Sequence, residues 1–264
     1  MAKIITVVNQ KGGVGKTTTA VNLGAYLAKQ GKFVLLVDMD SQANATSGLG
    51  FDPQTIEKSI YHVLMGAHGI RDILAATTVE GYHVAPSALD LAGATIDLVS
   101  MERREFRLYD ALLEMKNHYD YILIDCPPSL GLLTINGLVA GDEALIPVQC
   151  EYYALEGLGQ LIRTIDLIRE NLKPELSVRG AVMTMYDDRN KLSEAVMHQL
   201  YEHFPGHVYR TVIPRNVRLA EAPSHGRTIL EYDPKSRGGR AYERLAREFL
   251  EHDMHALPFA APSV

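Results

Sequence analysis

Tryptophan is absent from these 264 residues, and cysteine occurs only twice, at Cys126 and Cys150. Two thiols make no disulfide framework. A chain of this length needs none, since it can bury roughly 75% of the surface its unfolded form exposes. Both are expected to be small buried hydrophobes in a reducing compartment. No stretch of about 18 apolar residues occurs, which excludes a helical membrane span. No signal peptide precedes the strand-like segment at Ile4, so a cytoplasmic location is expected. Repeats and Pro/Gly/Ser linkers are also missing. The expectation is one domain over residues 1–252, followed by a disordered tail at 253–264. A positive excess is lacking too: the net charge is −6, which argues against an obligate nucleic-acid protein. The charge is uneven, however. Residues 205–247 carry +5, leaving −11 for the remainder. Such a chain can present a basic face despite its acidic balance.

What the sequence does contain is a regular alternation of short β-branched runs and longer helical stretches. Ile4–Val8, Phe33–Val37, Tyr121–Ile124, Ala144–Val148, Val178–Met183 and Val208–Ile213 read as strands. They are continuously apolar, as strands covered on both faces are. Thr17–Lys29, Ala88–Met101, Phe106–Asn117, Ala154–Asn171, Leu192–His203 and Arg240–His252 read as helices. This order predicts an α/β fold: a doubly wound, mostly parallel sheet with helices on both faces.

Between the first strand and the first helix lies Lys11-Gly12-Gly13-Val14-Gly15-Lys16-Thr17-Thr18. Strand, glycine-rich turn, Lys-Thr and helix form the context of a phosphate-binding loop. Glycines let successive N–H groups curl toward an anion, and the helix N-terminus adds its positive dipole end. Lys16 is placed to reach the β- and γ-phosphates of ATP. The Thr17 hydroxyl is placed to ligate Mg²⁺, and Thr18 to meet the α-phosphate. Two acidic strand ends follow. Asp38 and Asp40 close the second strand, and Asp125 closes the run Ile122-Leu123-Ile124 in the manner of a Walker B aspartate near Mg²⁺. The match to G-x-x-x-x-G-K-[ST] is imperfect, because Gln10 stands where the first glycine should be.

The Lys11-Gly12-Gly13-x-Gly15-Lys16-Thr17 pattern resembles the deviant Walker A loop of the ParA/MinD superfamily of P-loop NTPases. Asp38-Met39-Asp40-Ser41-Gln42-Ala43-Asn44 is similar to that family's D-x-D-P-Q-x-N element, with Ser41 for the usual proline and Ala43 for the usual glycine. The segments from Pro147 to Gly157 and from Val212 to Ser224 resemble the chromosomal, Soj-type ParA branch. The resemblance implies an ATP hydrolase of chromosome or plasmid partitioning. In it Lys11 crosses an ATP-dependent homodimer to the partner's phosphates. Asp40 positions the hydrolytic water and stands near Mg²⁺, Asp38 supports it, and Pro214 and Asn216 border the adenine. It further implies nonspecific binding to double-stranded DNA through Arg189, Arg218 and, less securely placed, Arg215. A ParB-type centromere-binding protein would stimulate hydrolysis, and no membrane would be involved.

Rival resemblances are a MinD-like membrane-associated positioning ATPase, an iron protein with a bridging cluster, and a small-molecule kinase. The first needs a basic amphipathic C-terminus, whereas the last residues contain Pro258 and no Lys or Arg. The second needs cysteines in a Cys-x-Gly setting, which neither Cys126 nor Cys150 has. The third is separated by assay, since a kinase needs an acceptor and a partitioning ATPase hydrolyses without one.

Overall fold

The computed structural model describes residues 1–151 and 154–256. Tyr152, Tyr153 and the tail residues 257–264 lie outside the described residues. Seven strands form one sheet: β1 (Lys3–Val7), β2 (Val34–Asp38), β3 (Ala75–Ala76), β4 (Tyr82–Ala85), β5 (Tyr121–Asp125), β6 (Glu143–Gln149) and β7 (Ser177–Thr184). Their order is β3-β4-β2-β5-β1-β6-β7. Every pairing is parallel except β3 with β4. The doubly wound α/β fold expected from the alternation is the fold observed.

Eleven α-helices are present among the described residues, the first seven between strands and the last four after β7: α1 (Lys16–Lys29), α2 (Asn44–Gly48), α3 (Ile60–Met65), α4 (Leu91–Asp97), α5 (Arg107–Leu112), α6 (Leu132–Ala140), α7 (Ala154–Asn171), α8 (Lys191–His203), α9 (Val217–Glu221), α10 (Ile229–Tyr232) and α11 (Arg237–Ala256). Successive strand residues point to opposite faces, so each central strand feeds two cores. Ile4, Leu35 and Ile122 pack with α4, α5, α6 and α7 on one face. Ile5, Leu36 and Leu123 pack with α1 and α11 on the other. The continuous apolar runs follow directly from this double burial. Cys126 and Cys150 are free and buried in the first core, as expected, and burial pushes the Cys150 thiol up to about 11.

Two expectations need correction. Val208–Ile213 is not a strand. It meets β7 at two points, a bridge of Val208 with Ala181 and a bond from Ile213 N to the Met183 carbonyl (2.8 Å), and Pro214 bridges Tyr186 just past the strand. Between them the backbone amides of Arg210 and Thr211 donate to the Glu248 carboxylate on α11 (2.6 and 2.9 Å). A side chain has taken the place of a neighbouring strand. Nor does order stop at His252, because α11 runs on through Ala256. Asp253 anchors it, accepting from Lys3 Nζ (2.7 Å), Tyr121 Oη (2.6 Å) and Arg179 Nη1 (2.8 Å). Arg179 is itself fully buried and donates to the Phe249 carbonyl (2.7 Å).

This anchor sets an acid limit on stability. Burial opposes the Asp253 charge, but the bonds from Arg179, Lys3 and Tyr121 outweigh it and hold the carboxyl at about 2. A depressed folded-state value stabilises above the unfolded value and is lost as pH falls through the folded one. The contribution is about 2 kcal/mol, expected in full above about pH 5 and gone near pH 2. Asp253→Asn should lower the melting temperature at pH 7 and show little difference from wild type near pH 2. Thermal denaturation across that range reads the convergence; a constant offset at every pH would contradict it.

Candidate functional site

The loop from Val8 to Gly15 leaves β1 at the C-terminal edge of the sheet, where ligands of parallel sheets sit. Gly13 and Gly15 have φ of +75° and +85°, and Gly15 is the residue that caps α1. Only glycine takes this left-handed backbone without cost. Three side chains pin the loop. Thr184 Oγ1 donates to the Val14 carbonyl (2.8 Å), and Asn9 Nδ2 donates to the Pro147 carbonyl (2.8 Å). Gln10, in place of the usual first glycine, donates from Nε2 to the Gly157 carbonyl on α7 (3.0 Å).

Lys16 is 6% exposed, and its ammonium donates to the Lys11 carbonyl (3.0 Å). Burial pushes its pKa down, against the opposing charges of Asp125, Cys126 and Asp40. Asp125 lies fully buried with neither carboxylate oxygen hydrogen-bonded among the described residues. Burial, and then the Asp38 charge, drive its pKa well up, while the neighbouring Thr17 hydroxyl and Lys16 ammonium pull it down. An orphaned buried carboxylate is costly unless something cationic completes it.

Asp38 is tied into structure. Its Oδ2 accepts from Thr46 N (2.9 Å) and Thr46 Oγ1 (2.7 Å), and its Oδ1 from Asp40 N (3.1 Å). Burial still pushes its pKa up against these bonds. Thr46 Oγ1 in turn accepts from Ser87 N (2.9 Å), and Ser87 Oγ donates to the Asp40 carbonyl (2.7 Å). Asp40 is therefore held through its backbone, with its carboxylate accepting only from Gln42 N (3.0 Å) among the described residues. Ala43 follows at φ +50°, a left-handed conformation that glycine would take more readily.

Gly13, Gly15, Lys16, Thr17, Thr18 and Asp40 line a cavity of about 420 Å³. Gly12 is exposed on the outer curve of the loop, and the Val14 side chain is buried beneath it. Lys11 is not among the lining residues. Its half-exposed ammonium pairs with Glu151 Oε2 (3.1 Å), and Lys11 lines a separate groove with Gln10, Ser129 and Gly157. A second cavity of about 220 Å³ shares Gly15, Thr18 and Met185 with the first and is bordered by Pro214, Arg215 and Asn216. The Asn216 side-chain oxygen is buried without a partner among the described residues. The wall also includes Asn22, Gln42, Asn44, Ser47, Met185 and Arg227, none singled out as wall residues by the sequence. Asn22 stands one turn after Thr18, a signal that could have found it. Arg227 and Met185 arrive from distant segments with no local sign.

The three surface arginines do not form one patch of free charge. Arg189 pairs with Asp187 (3.0 Å), and Arg218 with Glu221 (2.8 Å) and Asp233 (3.7 Å). Arg215 is exposed beside Tyr186, whose carbonyl accepts its backbone N–H (3.2 Å).

Comparison with known proteins follows the same lines. Residues 2–178 match a family described as AAA domain. The chain is 56% identical over 248 residues to the sporulation initiation inhibitor protein Soj of Bacillus subtilis, covering 94% of this chain and 98% of that protein. It is 50% identical to the chromosome-partitioning ATPase Soj of Treponema pallidum, covering 96% and 99%. A Mycobacterium smegmatis structure described as cobyrinic acid a,c-diamide synthase, with bound ADP and magnesium, superposes with a TM-score of 0.86 at 38% identity, covering 99% and 100%.

Proposed function

We propose a DNA-partitioning ATPase cycle for this chain, which belongs to the Soj/ParA family of chromosome-partitioning ATPases. It hydrolyses ATP to ADP and phosphate. The two Soj relatives are preferred as guides over the diamide synthase because their identity is higher across nearly the whole chain. One observation carries the reading: Lys16, Thr17 and Asp40 converge on one cavity above the orphaned carboxylate of Asp125. Lys16 meets the β- and γ-phosphates, the loop amides cradle them, and Thr18 meets the α-phosphate. Thr17, Asp125 and Asp40 fit Mg²⁺, since a divalent cation supplies what the unpartnered Asp125 oxygens lack. When bound, the ion neutralises charge on the phosphate oxygens. Asp40, whose carboxylate accepts only from Gln42 N among the described residues, orients the attacking water with its other oxygen. The second cavity takes the adenine between Pro214 and Asn216. Phosphate release from ATP without any acceptor is the direct test; turnover appearing only with a small-molecule acceptor would favour a kinase.

Lys11 serves the dimer. Its ammonium faces out of its own cavity toward Glu151, as a lysine that crosses to a partner's phosphates would. Lys11→Ala should bind ATP within a few-fold of wild type, because Lys16 supplies the main charge-assisted contact in cis. It should fail to dimerise or hydrolyse. Equilibrium nucleotide titration with sedimentation separates the two; equal loss of ATP affinity in Lys11→Ala and Lys16→Ala would refute the trans role.

The ATP dimer binds duplex DNA without sequence preference and thereby associates with the nucleoid, and a ParB-type protein stimulates hydrolysis and release. Arg189 and Arg218 contact phosphates, exchanging exposed carboxylate partners, whose pairing at a surface contributes little. Each substitution to alanine removes two contacts from a dimer. Each should flatten log K against log salt by about 1.8 and weaken all duplexes alike. Arg215 sits at the base cavity as well, so Arg215→Ala should disturb nucleotide and DNA binding together. A salt titration reads all three; unchanged slopes would place the DNA face around Lys235, Arg237 and Arg240.

A further inference from the structure

A phosphate-binding loop ordinarily begins with glycine, and this one begins with Gln10. The added side chain turns away from the nucleotide. Gln10 is not among the described residues that line the ATP cavity. With Lys11, Ser129, Leu130, Gly157 and Gln160 it lines the separate groove, of about 500 Å³. There its Nε2 donates twice to α7, to the Gly157 carbonyl (3.0 Å) and to Gln160 Oε1 (3.1 Å).

Helix α7 is a firm anchor for these bonds. Leu158, Leu161, Ile165 and Ile168 recur at helical spacing and are buried in the first core. The contact is also matched from the helix side. A Cβ at residue 157 would stand 3.2 Å from Gln10 Nε2, closer than an ordinary side-chain contact. Glycine at 157 therefore leaves the room that glutamine at 10 occupies.

What Gln10 fixes is the root of Lys11. The Lys11 ammonium pairs with Glu151 at the surface, a contact that contributes little and is readily exchanged. The backbone is held more firmly. Lys11 N donates to Asn9 Oδ1 (3.0 Å), and Asn9 Nδ2 reaches the Pro147 carbonyl on β6 (2.8 Å). Asn9 thus ties the loop to β6, and Gln10 ties it to α7. A long side chain that must meet phosphates in another subunit works best from a root whose position and direction are set in advance. We infer that Gln10 is a positioning residue for Lys11: its two bonds to α7 fix where the lysine leaves its own subunit, and so whether it arrives at the partner's phosphates. This rests on the reading that Lys11 acts across the dimer.

The test uses the full chain carrying Gln10→Met, which keeps the length of the side chain and removes its donor, or Gln10→Gly, which restores the ordinary loop pattern. Both should bind ATP within about threefold of wild type, since Lys16 holds the phosphates in cis. Both should turn ATP over about tenfold more slowly or worse, because a displaced root misdirects the lysine. Turnover should return when excess Asp40→Ala chain is mixed in before ATP is added, measured against the turnover of Asp40→Ala alone. In the mixed dimer the site with an intact Asp40 receives its Lys11 from the Asp40→Ala subunit, whose Gln10 is intact. Lys11→Ala should be rescued by the same addition. Gly157→Ala approaches the contact from α7. Alanine is the better helix former, so this variant should melt no lower than wild type and still hydrolyse several-fold more slowly, a combination that a merely structural contact does not give. Wild-type turnover in the Gln10 variants, or in Gly157→Ala if those do not fold, overturns the proposal. So does slow turnover that Asp40→Ala fails to rescue while it rescues Lys11→Ala, since Gln10 would then act within its own site. Failure to rescue Lys11→Ala refutes the trans reading underneath.

Discussion

Lys16→Ala should lose ATP affinity by about 100-fold or more, the largest single effect on binding that the structure implies. The reasoning is electrostatic. The Lys16 ammonium is 6% exposed, already pushed down in pKa by burial, and hydrogen-bonded to one carbonyl, that of Lys11. A cation in that setting gains more from a phosphate than a solvated lysine would, because it has little hydration left to give up. Removing it leaves the loop amides and the α1 dipole, which are weaker partners. Titration with a fluorescent ATP analogue measures the loss, with circular dichroism confirming the fold. Affinity within about threefold of wild type would mean that the phosphates are held elsewhere.

Asp40→Ala should slow hydrolysis by about 100-fold or more while leaving ATP binding and dimerisation in place. The distinction between Asp40 and Asp38 is visible in their bonds. Asp38 accepts three hydrogen bonds and fastens Thr46, so Asp38→Ala should chiefly lower stability. Asp40 is positioned by its backbone through Ser87, a contact that alanine keeps. Its carboxylate has a single amide to hold among the described residues and is free to orient water. Rapid-quench measurement of bound ATP turnover reads the chemical step. Near-normal hydrolysis by Asp40→Ala would transfer the water-positioning role to another group.

The parts legible in the sequence were those whose cause is local. Glycines at left-handed positions, a Lys-Thr pair opening α1, and acids ending apolar runs each announce themselves within a few residues. The sheet was legible for the same reason, since a strand buried on both faces must be apolar throughout. What escaped depends on distant segments. Glu248 capturing the amides of Arg210 and Thr211 dissolved a strand that the pattern of Val208–Ile213 favours. Asp253 looked like the start of a tail until Lys3, Tyr121 and Arg179 were found around it. Arg227 counted as one more basic residue and lies instead in the wall of the ATP cavity. Asp187 and Glu221, two and three residues away, hold Arg189 and Arg218 in ion pairs, which the count of basic residues alone does not reveal.

The central claim is that ATP joins two copies through Lys11 and that the joined form alone grips DNA. Light scattering on Asp40→Ala, expected to hold ATP with hydrolysis slowed about 100-fold or more, tests this most directly, with ATP or ADP and with or without a short duplex of unrelated sequence. The 29.2 kDa chain should double in mass with Mg-ATP, stay monomeric with ADP, and add the duplex only in the doubled form, with Lys11→Ala introduced into the same protein abolishing both steps. A monomer that binds the duplex with either nucleotide, or a dimer that persists in ADP, would contradict it.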